Sequence, residues 1–466
     1  MSNSLETLLI ESSMMTRHCL CIGATGAGKS NFLNLILKQQ MMRGAGVLNI
    51  DGKFSNEALI QFLALTKQHN RWHDARVINI SSEAHSNSYN PLLRGDADEI
   101  ASRIMQLIPE SKGGEFFRSS AGKGIRALSS SITKIGLPFN FRDLKTAMVS
   151  NRALEYLFHV TPESPEKVEM RNFMSEIRTL DPRSGQTIIN DQKKGQAFND
   201  LSAKLNDYTN KEMLNSYSPE VDLYTAIKEN ALIFVALPTL TKSESAINFA
   251  KLLLSDLRTV IGTLQNETYK PSPTFLCLMD EFSSYATSSI DTVFEQARST
   301  NICMFPLIQT MSSLSDQKRG LSEDFKQKII GNAWNKFALK LKDAESCREM
   351  SILAGEKLQE KVSESFGEGL NFKGGAEDAS MLRTSDRSRS YGKSVSHVRE
   401  AIVPPEAFEQ LEIGEGIYIG DNGVYKTRTP YLDFDVKEAT IDMPKFKTPH
   451  KEGLSLSDKF ADNGMA

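Results

Sequence analysis

The chain has 466 residues, 40% hydrophobic and 24% charged, with a formal net charge of −3; this excludes a small stapled scaffold and a globally basic nucleic-acid binder, while leaving room for a local basic lining. Two or more domains around a large core are expected. The five cysteines are odd in number, and four of them lie in apolar runs, which predicts buried thiols of a reducing compartment; no run approaches the ~18 apolar residues of a membrane span, and little room precedes residue 23 for a leader.

The first predicted strand, Cys19-Leu20-Cys21-Ile22, runs into Gly23-Ala24-Thr25-Gly26-Ala27-Gly28-Lys29-Ser30 and then into a helical pattern from Asn31. Gly23, four residues, then Gly28-Lys29-Ser30 is the spacing of a phosphate-binding loop. Glycines let successive backbone N–H groups curl around a polyphosphate, and the following helix turns its positive end toward it. Lys29 can reach the β- and γ-phosphates, and the Ser30 hydroxyl can join a Mg²⁺ shell.

A second short apolar run, Gly46 to Ile50, ends in Asp51-Gly52-Lys53. Parallel sheets present ligand-binding residues at their carboxyl edges, so Asp51 and Lys53 are candidates for a nucleotide cleft; an exposed ion pair in a turn fits the spacing equally. A helix over 57–66 and a strand over 75–80 follow. Tyr89-Asn90-Pro91-Leu92 then leaves the sheet.

From 97 to 228 the strand signal fades, and apolar residues such as Ile100, Ile104, Leu107 and Ile108, or Phe173, Ile177 and Leu180, take helical spacing. This predicts an all-α insertion. Its basic positions, including Arg171, Lys193 and Lys194, alternate with acids, as on a solvated helical face.

The sheet resumes with Ala231 to Leu237, a helix over 245–264 and the apolar run Thr274 to Met279, which ends in Asp280-Glu281. Adjacent carboxylates at the end of a core strand are costly unless they meet a cation or a catalytic task. Asp280 suits a contact to Mg²⁺ and Glu281 the orientation or deprotonation of attacking water. A helix over 290–297 carries Arg298 after it; its guanidinium is expected near the sheet's ligand edge, as an arginine finger across a subunit boundary or as a surface ion pair, with Arg319 or Arg383 as alternatives. The strand Ile302 to Ile308 ends in Gln309, placed to sense the γ-phosphate or hold the water.

A further strand over 336–341 and a helix from Ala344 precede a stretch rich in Gly, Ser and mixed charge, 363–397, which reads as a flexible loop. Gly416 to Gly420 and Val424 to Thr427 flank an Asn422-Gly423 turn and predict a hairpin. The expected organisation is a nucleotide-binding domain in two parts, 1–96 and 229–432, with the insertion 97–228 between them and a polar exposed tail over 433–466. The fold class is α/β: a RecA-like P-loop NTPase core with a mostly parallel sheet and an inserted all-α domain.

Taken in order, the run into the Gly23 loop, Asp51-Gly52-Lys53, Tyr89-Asn90-Pro91-Leu92, Asp280-Glu281-Phe282, Gln296-Ala297-Arg298-Ser299, Gln309 and Gly331-Asn332 resemble the signature positions of type IV secretion coupling proteins. These are TraD/TraG-like members of the HerA-FtsK motor superfamily, and the Asp-Gly-Lys and Gln-Ala-Arg-Ser forms look closest to the type IVB, DotL-like branch. The resemblance spans about residues 15 to 430. It implies an ATP- and Mg²⁺-dependent homo-hexamer on the cytoplasmic side of the bacterial inner membrane that passes DNA, secreted protein or both to a secretion channel, with relaxosome or adaptor proteins as partners. Such proteins usually carry amino-terminal membrane helices, and this chain shows none. A substrate-receptor platform with little pumping, or a HerA-like DNA translocase outside secretion, remains the alternative.

Overall fold

The computed structural model describes residues 7–108, 115–241, 243–371, 386–432, 434, 444, 446 and 455–460. Among the described residues nine strands form one sheet. They are β1 (Cys19–Ile22), β2 (Val47–Asp51), β3 (Ala75–Asn79), β6 (Leu232–Ala236), β7 (Phe275–Asp280), β8 (Ile302–Ile308), β9 (Asn335–Leu339), β12 (Glu415–Gly420) and β13 (Gly423–Arg428), in the order β13-β12-β9-β1-β8-β7-β2-β6-β3. The seven strands from β9 to β3 are mutually parallel, and the β12–β13 hairpin adds to β9 in antiparallel sense.

The strands are apolar on both faces because both faces are covered. Leu20, Ile22, Leu48, Ile50, Ile233 and Val235 enter one core, whereas Cys19, Cys21, Val47, Leu232, Phe234 and Phe305 enter the other. Phe32, Leu37 and Met41 of the helix Lys29–Met42, and Leu59, Phe62 and Leu63 of Asn56–Gln68, cover the second face. Ser243–Asn266, Asp291–Ala297 and Glu323–Asn332 cover the first. All five cysteines are free and buried.

Between β3 and β6 the chain runs through the helices Ala97–Met105, Glu115–Lys134, Phe141–Val149, Asn151–Val160, Pro165–Ile177, Asp191–Thr209 and Leu223–Lys228. Their starts follow from capping residues: Asp96 with Glu99 and Asn140 with Asp143 form reciprocal capping boxes. One two-stranded hairpin, β4 (Arg178–Leu180) with β5 (Thr187–Ile189), interrupts this helical stretch, so it is not purely helical as expected. Its core is continuous with the sheet's first-face core. The junction is tied by polar groups: Tyr89 donates to Asp256 Oδ2 (2.7 Å), and fully buried Arg103 pairs with Asp256 (3.2 Å) and donates to Thr259 Oγ1 (2.9 Å).

Two expectations fail at the carboxyl-terminal end. The segment expected as a flexible loop, 363–397, lies within a long antiparallel ribbon, β10 (Glu356–Asn371) with β11 (Asp386–Ala401), with 372–385 outside the described residues. A strand partner some thirty residues away leaves no local signal, and with both faces wet there is no apolar alternation to read. Of the expected exposed tail, residues 455–460 are docked instead: Leu456 is buried, Ser457 N–H donates to Asp143 (2.7 Å), and the Phe460 ring meets that of Tyr156.

Candidate nucleotide site

Four strand ends meet at the carboxyl edge of the sheet. Gly23 follows β1 and is held by its N–H to the Ile308 carbonyl of β8 (3.1 Å), while the Ala24 N–H donates to Lys340 beyond β9 (2.9 Å). The loop from Gly23 to Ser30 then turns at Gly26 and Gly28, both left-handed (φ 79° and 97°), where a side chain would be strained. Gly23 is also packed closely, because a Cβ there would sit 3.0 Å from Leu339 Cβ.

Lys29, at the start of its helix, curls back over the loop and donates to the Gly23 carbonyl (2.8 Å). Its ammonium lies 3.9 Å from Glu281 Oε1. Burial lowers the Lys29 pKa, against the opposing pull of Glu281 and Asp280.

On the neighbouring strands Asp51 and Asp280 are register partners. Burial, reinforced by the charges of Glu281 and Asp51, pushes Asp280 up to about 6. Glu281 follows in a left-handed conformation (φ 50°), uncommon for a residue with a side chain. Its carboxylate contacts the Lys53 ammonium and accepts from Gln309 Nε2 at 2.8 and 2.9 Å. Burial raises its pKa, but the Lys53 and Gln309 contacts and the Lys29 charge outweigh burial and leave it lowered. Thr25 Oγ1 reaches Gln309 Oε1 at 3.3 Å, so the loop, the acid pair and the strand-end Gln form one linked set.

Asp51 and Arg298 are placed differently from the expectation. Asp51 does not face an open cleft: its carboxylate accepts the N–H groups of Lys53 (3.0 Å), Phe54 (3.0 Å) and Ser55 (3.2 Å) and so shapes the turn that carries Lys53. Ser30 is exposed at the start of the loop helix. Arg298 is exposed but lies before β8, whereas Gln309 lies after it, so about 20 Å of strand separates them. The expectation that its charge emerges at the ligand edge of its own sheet is therefore wrong: the helix Asp291–Ala297 runs back across the sheet and delivers Arg298 to the amino edge. Arg319 donates to the Ser283 carbonyl (2.7 Å) just beyond the acid pair, and Arg383 is outside the described residues.

Sequence reasoning missed the segment after β9. Gly414 N–H donates to the Ala27 carbonyl (3.3 Å), and Asn31 bonds Pro430 and Leu432, so residues 413–432 brace the loop and its helix. A hairpin pattern does not say which sheet edge it joins.

A profile of the family described as "TraM recognition site of TraD and TraG" matches residues 274–412, and one described as "Helicase HerA, central domain" matches 2–53. The type 4 coupling protein DotL of Legionella pneumophila is 21% identical over 77% of this chain. This chain is similar to the type IV coupling proteins. It spans about half of DotL's length, 51%. The fold is shared with solved structures of TrwB. The unbound bacterial conjugative coupling protein TrwBΔN70 superimposes with TM-score 0.63 at 15% identity, covering 93% of this chain and 88% of its own. TrwB in complex with the non-hydrolysable ATP analogue ADPNP gives 0.62 at 14%, covering 95% and 94%. The RecA-like α/β fold is thereby shown, with a mostly helical stretch between β3 and β6. Among the described residues no helix is long and apolar enough to cross a membrane.

Proposed function

We propose that this chain is an ATP-hydrolysing coupling protein of a type IV secretion or conjugation system, which recruits substrate and drives DNA, protein or both toward the secretion channel. The observation that carries the reading is the linkage at one sheet edge of a glycine loop, Lys29, Glu281 and Gln309. TrwB, which shares the fold, is described in complexes with ADP and Mg²⁺ and with ADPNP.

In this reading the N–H groups of residues 23–30 and the Lys29 ammonium bind the phosphates, and Glu281, steadied by Gln309, orients water and accepts its proton. Three carboxylates, Asp51, Asp280 and Glu281, crowd the ends of β2 and β7, and Asp51 is already engaged by amides; the donor set fits a cation at Asp280. Ser30 and Asp280 would hold Mg²⁺, which when bound neutralises phosphate charge. The protein works as a homo-hexamer at the cytoplasmic side of the inner membrane, with relaxosome or adaptor proteins and channel proteins as partners.

Steady-state ATP hydrolysis measured alone, with single-stranded DNA and with double-stranded DNA tests this. DNA stimulation is expected; stimulation by secreted protein but not by DNA would instead favour a receptor platform. Loss of transfer from donor cells lacking the gene separates coupling from a translocase outside secretion.

A further inference from the structure

Two lysines face the one carboxylate of Glu281, and they are held in different ways. Lys29 is 9% exposed and tied to the Gly23 carbonyl. Lys53 is 48% exposed, and its ammonium touches Glu281 Oε1, while the Glu281 side chain is itself only 8% exposed. The backbone under Lys53 is fixed. The Asp51 carboxylate grips three successive N–H groups, and Gly52 sits so close to the acid pair that a Cβ would fall 2.7 Å from the Asp280 carbonyl oxygen and 3.0 Å from Glu281 Cβ. The loop is thus a rigid mount for a long, half-exposed side chain whose head alone can move.

With Lys53 on one oxygen and Gln309 Nε2 spanning both, the buried Glu281 carboxylate is engaged by protein donors. Two donors fill the acceptor sites of Oε1 and one occupies Oε2, so departure of Lys53 frees an acceptor site for water on Oε1. Gln309 is a strand-end residue linked to Thr25, and Lys29 is bound to the loop, which leaves Lys53 as the head able to swing. The group that would draw it away is an anion at the far end of the phosphate loop.

We propose that Lys53 is a positioning residue that latches Glu281 in the empty site and transfers its ammonium to the terminal phosphate of a nucleoside triphosphate, freeing Glu281 only when that phosphate is present. The proposal rests on the ATPase reading above. It makes the site discriminate a triphosphate from a diphosphate by exchanging one ion pair for another, and it assigns Lys53 first to the carboxylate and only then to the nucleotide.

The test is a binding cycle with ADP and ADPNP on the full chain, comparing the parent, Glu281→Gln, Lys53→Met and the double variant. Glu281→Gln removes the competitor for Lys53, so ADPNP should bind about tenfold tighter, the size of one charge-assisted hydrogen bond, with ADP changed less than about twofold. In the Lys53→Met background the same change should leave ADPNP affinity within about twofold. Lys53→Arg, which keeps a cation on the mount, should retain the preference for ADPNP over ADP that Lys53→Met loses. Equal tightening with and without Lys53, equal loss of ADP and ADPNP binding in Lys53→Met, or loss of the preference in Lys53→Arg as well would each overturn the latch while leaving the ATPase reading intact. A parent that binds neither nucleotide would overturn both.

Discussion

The two edges of the central sheet use polar residues for opposite ends. At the amino edge they are spent on the fold: His18 Nε2–H donates to the Phe294 carbonyl (2.6 Å) and its Nδ1 accepts from Met304 N–H (3.1 Å), Asn335 donates to Met14 and His18 carbonyls, and Asn301 donates to Pro271. Each contact joins side chain to backbone and fills a gap that strand starts leave open. At the carboxyl edge, beside the backbone contacts of Lys29 and Asp51, a set of contacts joins side chain to side chain: Lys53 to Glu281, Gln309 to Glu281 and Thr25 to Gln309. Such pairs can be exchanged for contacts to a ligand, whereas side-chain to backbone pairs at the amino edge cannot be opened without exposing buried amides. The comparison teaches that exchangeable side-chain pairs gather at the carboxyl edge, beside residues such as Asp51 that hold its turns, whereas the amino-edge residues named here hold backbone.

The contrast is sharpened first by Glu281→Gln. On the proposed role of Glu281 as general base, the change should slow ATP turnover by a factor of ~10² or more while ADPNP still binds, as read by single-turnover kinetics beside equilibrium binding; equal loss of binding in Glu281→Gln and Asp280→Asn would show the two roles to be confused. The amino-edge counterpart is His18→Ala. By stranding a buried amide and a buried carbonyl it should cost about 1–3 kcal/mol in denaturant unfolding, yet leave the turnover of the folded fraction unchanged. A reduced turnover with unchanged stability would erase the distinction between the edges.

The smallest effect belongs to Arg298. Because it lies at the amino edge of its own sheet, Arg298→Ala should change ATP turnover of dilute, unassembled protein by less than about twofold. Any role for it is in trans: in assembled protein, Arg298→Ala subunits should hydrolyse little, and mixing with Lys29→Ala subunits should restore part of the activity by pairing an intact loop with an intact Arg. Mixed assemblies as inactive as their parents would refute the trans role.

Much of this was legible in the sequence because the signals are local. Strands such as Leu232–Ala236 and Phe275–Asp280 are unbroken apolar runs, as strands buried on both faces must be, and the glycine loop declares itself between strand and helix. What escaped depends on distant partners. Asp51 was legible as a strand-end acid, but not as the acceptor of its own loop's amides, since an acid facing a ligand and one capping a turn have the same spacing. Arg298 was misplaced because helical periodicity gives a helix's face but not the edge to which it returns. The ribbon of 356–371 with 386–401 was hidden by its composition, for Leu358, Val362 and Phe366 recur every fourth residue and their partners Arg399, Val395 and Tyr391 lie far along the chain.

Lys29→Ala probes the proposed ATP hydrolysis at the carboxyl edge most directly, because Lys29 is the buried cation aimed into the glycine loop. Steady-state turnover of Mg·ATP by the parent and by Lys29→Ala, with melting temperatures measured alongside, should show turnover lost in a variant that melts as the parent does. A folded Lys29→Ala protein that hydrolyses ATP at the parent rate would contradict it.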